Sequence, residues 1–113
     1  MSGKTFWFLS ETVGDGDEDL GRILMRNLIY SLARAEERPS RLMFMNGAVR
    51  LTCRDSASLD DLRMLAEAGA VIKSCGTCLD YLGLSDTLAV GEVGDMKGSV
   101  GALAAAPDVV TVA

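Results

Sequence analysis

Residues 5–9 read Thr5-Phe6-Trp7-Phe8-Leu9, residues 10–19 are rich in glycine and acid, and Leu20, Ile23, Leu24, Leu28 and Leu32 then recur at helical spacing. An apolar run without alternation fits a strand buried on both faces. The polar stretch that follows is a loop. Asp15 with Glu18 three residues on matches a capping box, and Asp17, Glu18 and Asp19 suit the positive end of a helix. Pro39 bars continuation, so the first helix is expected to end near Glu37. This strand–loop–helix unit sets the pattern of the chain.

The pattern repeats. Leu42 to Met45 reads as a second strand, closed by the turn dipeptide Asn46-Gly47. Ser56 or Ser58 can cap a helix carrying Leu59, Leu62, Leu65 and Ala66, and Gly69 ends it. Val71-Ile72 forms a third strand. Leu88 to Val90 and Val109 to Val112 are the expected fourth and fifth strands. Between them Asp95 or Ser99 opens an alanine-rich helix to Ala106, just before Pro107. Strands alternating with helices imply an α/β fold: a flavodoxin-like, five-stranded, mainly parallel sheet with helices on both faces. No internal repeat or linker divides residues 1–113, so a single domain is expected.

Composition narrows the chemistry. Of 113 residues, 49% are apolar and 24% charged, as in an ordinary globular chain. The net charge is −5 and no basic run exists, which speaks against nucleic acid as a partner. Histidine is absent, which removes Ser-His-Asp and Cys-His catalysis and every His-containing metal site. No apolar run approaches the roughly 20 residues that a membrane-spanning helix needs. A cytoplasmic chain with reduced thiols is expected, and three cysteines make a poor closed disulfide framework. No cofactor is indicated.

Ligands of such sheets collect beyond the carboxyl ends of the strands, which here are residues 10–16, 46–52 and 74–83. The first loop superficially looks like a phosphate loop, but Glu11, Asp15, Asp17, Glu18 and Asp19 would repel a phosphate, so it reads as a solvated loop. The second begins with Asn46-Gly47, usually a tight turn, where Gly47 would permit close approach of a ligand. The third holds Cys75-Gly76-Thr77-Cys78 after a strand and opening a helix. Two thiols at that spacing lie one turn apart. A helix start favours a thiolate on Cys75, with Cys78 placed to resolve a bond to it as a reversible disulfide. Cys75 is therefore expected to alkylate ahead of Cys53 and Cys78. The amides from Gly76 to Cys78 would cradle the sulfur, Asn46 and Thr77 would donate hydrogen bonds to it, and Tyr81 would wall the pocket. Ser10 and Gly47 complete the expected substrate-binding set. Two blander readings stand beside this one: a buried structural pair, or a metal site. The metal reading has only two ligands there plus the distant Cys53, which lies between Thr52 and Arg54 and reads as incidental.

Four stretches carry a family resemblance: 14–17 with Leu20-Gly21 and Leu24-Met25; Phe44-Met45-Asn46-Gly47-Ala48-Val49-Arg50-Leu51; Ser74-Cys75-Gly76-Thr77-Cys78-Leu79-Asp80-Tyr81; and Val90-Gly91-Glu92-Val93 before Met96. Over nearly its whole length the chain resembles the C-terminal domain of the YedF family. These are sulfurtransferase-like selenium-metabolism proteins of the DsrE/DsrF-like superfamily. The resemblance implies a flavodoxin-like sheet assembled as a homotrimer or hexamer, with a persulfide on a cysteine after a strand. By its position, and by Gly83 eight residues later, that cysteine looks like Cys75, and Cys78 looks like the second thiol of the YedF-like subgroup. Two departures stand out. The Cys-Pro motif of a TusA-like domain is absent, Cys53 being followed by Arg54, and Asp95 stands where the family commonly has Asn. The function expected is a small sulfur-carrier or sulfurtransferase-like protein, relaying sulfane sulfur or selenium between donor and acceptor proteins. The competing expectation is a non-catalytic oligomeric binding module, whose clefts between subunits hold a small ligand or a partner protein.

Overall fold

A computed structural model of the chain describes residues 3–113. Five strands form one sheet: β1 (Lys4–Phe8), β2 (Arg41–Phe44), β3 (Val71–Cys75), β4 (Glu92–Gly94) and β5 (Asp108–Val112). Their order is β4-β3-β2-β1-β5, and every neighbouring pair is parallel. The helices are α1 (Glu18–Arg34), α2 (Leu59–Glu67), α3 (Gly76–Tyr81) and α4 (Met96–Ala105), with 3-10 segments at Asn46–Thr52 and Ser85–Thr87. The α/β class and the five parallel strands are as the sequence indicates. The strand order is not the flavodoxin 2-1-3-4-5. Here four strands follow one another across the sheet, and only the fifth returns to flank the first. Right-handed crossovers put α1, α2 and α3 on one face and the returning α4 on the other. Gly98, Ser99 and Ala102 of α4 accordingly share a groove with Arg41, Met43 and Lys73, side chains of one sheet face.

The core lies between the sheet and α1–α2. Phe8 and Phe44 stack with ring centroids 4.7 Å apart, and Met25, Ile29, Leu62 and Leu65 close over them, almost wholly buried. Each such side chain contributes about 1.5–3 kcal/mol of burial. The parallel register brings Phe8, Phe44 and Ser74 side by side, so the segments after β1, β2 and β3 emerge together at one edge.

Four local expectations are corrected. The cap of α1 is Asp17, whose side chain accepts from the Leu20 N–H, rather than an Asp15–Glu18 box, and the helix ends at Arg34. Its buried face is Gly21, Met25, Ile29, Leu32 and Ala33, while Leu20, Ile23 and Leu24 are 43–56% exposed. Two apolar stripes share this helix, and periodicity alone finds the helix without saying which stripe faces in. Leu88–Val90 is not the fourth strand. The Thr52 carbonyl accepts from both the Ala89 and Val90 amides, Leu88 bridges Cys53, and Gly91 at φ +77° then redirects the chain into β4. Asn46-Gly47 opens a seven-residue 3-10 helix instead of a tight turn. By contrast Asp95 caps α4, accepting from the Gly98 N–H at 2.7 Å; Ser58 occupies the N-cap position of α2, but its side chain makes no capping hydrogen bond.

Candidate functional site

Cys75 ends β3 and is also the N-cap residue of α3, so Cys78 falls one turn on. Gly76 makes this sharp start possible. A Cβ there would lie 2.9 Å from Val93 Cγ1 and 3.3 Å from the Gly94 carbonyl, so α3 begins hard against β4. Gly83, at φ +71°, ends the helix. The Leu84 N–H reaches the Leu79 carbonyl at 2.7 Å and the Gly83 N–H reaches that of Asp80, a Schellman cap.

The thiols differ in access. Cys75 is 4% exposed and pairs in register with Gly94 of the edge strand. Cys78 is partly exposed. The backbone N–H of Asn46 donates to Cys78 Sγ at 3.1 Å. Asn46 stands at φ +53°, where the chain leaves β2, a conformation that asparagine tolerates better than most residues. Burial pushes the Cys78 thiol above the usual thiol range, the Asn46 amide offsets part of that, and the hydrogen bond and like charge of Cys75 add to the rise. At neutral pH Cys78 therefore holds its proton, next to Cys75. Both thiols are free.

A buried hydroxyl pair fixes this arrangement. Thr52, wholly buried at the end of the 3-10 helix, donates to the Val49 carbonyl at 2.9 Å and lies 2.7 Å from Ser74 Oγ, one residue before Cys75. With its own proton on Val49, Thr52 accepts from Ser74. The segment that begins at Asn46 is thus pinned to the strand that ends at Cys75.

Beside the pair lies an open cleft of about 760 Å³, bounded by the loop after β1, the 3-10 helix and Leu82. Ser10, Asn46 and Gly47 line it together. Ser10 Oγ accepts from the Thr12 N–H and meets Thr12 Oγ1 at 3.1 Å, which shapes the loop. A Cβ at Gly47 would meet the Glu11 nitrogen at 3.8 Å, ordinary contact, so close approach does not require glycine there. Two expectations are corrected. Tyr81 is 89% exposed, because α3 ends by turning it outward, and Leu82 takes the wall position. The exposed Thr77 side chain donates to neither sulfur; the donor to a sulfur is the Asn46 backbone. Sequence reasoning missed Thr52, Ser74, Glu11 and Arg50. The first two are ordinary polar residues whose meeting depends on the tertiary fold. The last two are single charges, Glu11 in the loop after β1 and Arg50 in the 3-10 helix, and no sequence spacing links one to the other.

Among the described residues, no three metal-ligating side chains come together, and no helix is long and apolar enough to cross a membrane.

No protein-family model matches the chain, and no curated protein sequence matches it. Its class is set by the fold: a compact α/β unit on a five-stranded parallel sheet. Solved structures share that fold over almost their whole length. The ychN protein from E. coli superposes with a TM-score of 0.68 at 21% identity, covering 96% of this chain and 98% of that one. The protein of unknown function MTH1491 from Methanobacterium thermoautotrophicum gives 0.63 at 18%, covering 96% and 97%. BT1422 from Bacteroides thetaiotaomicron, also of unknown function, gives 0.62 at 11%, covering 97% and 95%. At these identities the likeness is one of fold.

Proposed function

We propose that this chain is a small cytoplasmic sulfur-relay protein that carries sulfane sulfur, or selenium in its place, as a persulfide on the Cys75–Cys78 pair. The observation that carries the reading is the hydrogen bond from the Asn46 amide to Cys78 Sγ, with the Cys75 thiol as its neighbour. A sulfur that only fills space needs no amide from a segment 32 residues away. A persulfide, anionic near neutrality, is stabilised by one.

The chemistry balances without a cofactor. A thiolate of the pair attacks the outer sulfur of a donor persulfide; the donor's sulfur–sulfur bond breaks, and the donor leaves as a thiolate. Discharge repeats the step with an acceptor thiol. Alternatively, the second thiolate of the pair attacks the inner sulfur, forming the Cys75–Cys78 disulfide and releasing hydrosulfide, and a thiol reductant restores the pair. The sequence-based assignment puts the persulfide on Cys75. Cys78 has the better access to solvent.

A homo-oligomer, trimer or hexamer, is part of the proposal. Leu20, Ile23, Leu24 and Tyr30 on α1, and Val93, Met96 and Val100 at the β4–α4 corner, are all exposed by 43% or more. Apolar exposure of this extent on a small chain favours self-association. It also favours the second reading, an oligomeric binding module whose cysteines only pack.

The two readings separate in one experiment. After incubation with a cysteine desulfurase and cysteine, a relay protein gains one sulfur by intact mass, and a Cys75→Ser/Cys78→Ser variant gains none. A wild-type chain that gains nothing overturns the relay reading.

A further inference from the structure

The cleft beside the thiols holds charges of both signs that none of the sulfur chemistry above uses. It adjoins Cys78 through two residues. Asn46, whose amide holds Cys78 Sγ, lines it, and so does Leu82, whose N–H reaches the Cys78 carbonyl at 3.0 Å. Within it the Glu18–Arg22 ion pair, at 2.7 Å, is self-satisfied. The carboxylates of Glu11 and Asp15 and the guanidinium of Arg50 make no hydrogen bond or ion pair among the described residues. Glu11 and Arg50 also line two smaller neighbouring grooves together, so the two opposite charges lie at the same edge without forming an ion pair. Two free carboxylates against one free guanidinium disfavour a phosphate or any other dianion. They suit a ligand that carries one cation and one anion. The volume lies within the range of small-molecule sites.

We infer that this cleft takes a zwitterionic low-molecular-weight thiol persulfide of the α-amino-acid type, with its carboxylate on Arg50, its ammonium on Glu11 and Asp15, and its sulfur directed to Cys78. This rests on the sulfur-relay reading and names its donor class. Cys78, protonated at rest, gives its proton to solvent and then attacks the terminal sulfur of the bound persulfide as the thiolate. A new sulfur–sulfur bond forms on Cys78, the old one breaks, and the amino-acid thiolate departs and takes a proton from water. Nothing is oxidised or reduced overall.

The experiment compares initial rates of persulfide formation from cysteine persulfide and from mercaptoethanol persulfide, which lacks both charges. The wild type loads about tenfold faster from cysteine persulfide, the worth of one good charge-assisted contact at a partly exposed site. Arg50→Gln and Glu11→Gln each bring that ratio towards one. Equal rates from the two donors in the wild type overturn the inference while leaving the relay reading standing. A chain that takes sulfur from no donor, the desulfurase included, overturns the relay reading. Binding is read separately with S-methylcysteine, which has no sulfur to give: it shifts the NMR signals of Asn46 and Gly47 in the wild type and not in Arg50→Gln. Absence of any shift at millimolar probe overturns the inference, whatever the sulfur chemistry shows.

Discussion

Replacing Thr52 by valine keeps the shape of a wholly buried side chain and deletes one hydroxyl. That hydroxyl has two partners, the Val49 carbonyl at 2.9 Å and Ser74 Oγ at 2.7 Å. The carbonyl keeps a weak donor, because Cys53 Sγ also points to it at 3.1 Å. The Ser74 hydroxyl, itself 1% exposed, keeps nothing. Stranding one buried hydroxyl costs about 1–3 kcal/mol, so Thr52→Val should lose about 2 kcal/mol. In a chain of this size that is a fall of roughly 8 °C in Tm. Ser74→Ala should cost under about 1 kcal/mol, since the Thr52 proton still has the Val49 carbonyl. The Thr52→Val/Ser74→Ala double variant should lie near Ser74→Ala alone, because no hydroxyl is then stranded. Urea unfolding at one fixed protein concentration reads all three, with equal slopes required for the comparison. A Ser74→Ala cost equal to that of Thr52→Val, or a double variant that loses the sum of the singles, would rule out a stranded Ser74 hydroxyl as the cause. Because the pair pins the segment beginning at Asn46 to the strand ending at Cys75, Thr52→Val should also slow sulfur loading more than its stability loss explains.

Three further outcomes are expected. Cys78 binds its proton more tightly folded than unfolded, so its contribution to stability is full below the usual thiol range and is lost as pH rises through the raised pKa; Cys78 alkylation should show its midpoint above the usual thiol value, and a midpoint below it contradicts the burial argument. Ile23→Lys with Leu24→Lys should leave the circular dichroism and the Tm of the fold nearly unchanged, since both side chains face solvent, while sedimentation shows the assembly reduced to monomer. Gly83→Ala should cost about 1 kcal/mol by urea unfolding, because φ is +71° with open space around it, and Gly83→Asn should cost less.

The alternation of apolar strands and periodic helices was legible because each of those signals is local. The Asp95 cap, the glycine that ends α2 at φ +108° and the Cys75 strand-to-helix junction are local too, and all are found where the sequence puts them. What the sequence hid is set by distant partners. The inner face of α1 is decided by where the sheet lies, and both of its stripes are apolar. Leu88–Val90 has the composition of a strand, but the Thr52 carbonyl takes its amides, so the neighbouring Glu92–Gly94 pairs with β3 instead. At the site, the spacing of the two cysteines announced the pair. The amide that serves it comes from a backbone group, which carries no side-chain signature. Helix α3 also has only six residues, so little dipole builds up behind Cys75, and the donor to sulfur comes from a separate segment.

Relay requires that sulfur leave as well as arrive, and this separates a carrier from a thiol that is merely oxidisable. The most direct measurement loads the chain with sulfane sulfur, removes the donor by gel filtration, adds a free thiol acceptor and follows both species by mass spectrometry. As a relay, the protein returns to its unloaded mass as the acceptor gains one sulfur, and Cys75→Ser/Cys78→Ser never loads. Sulfur that stays on the protein in the presence of excess acceptor, or that loads equally well on the double variant through Cys53, would contradict the relay reading.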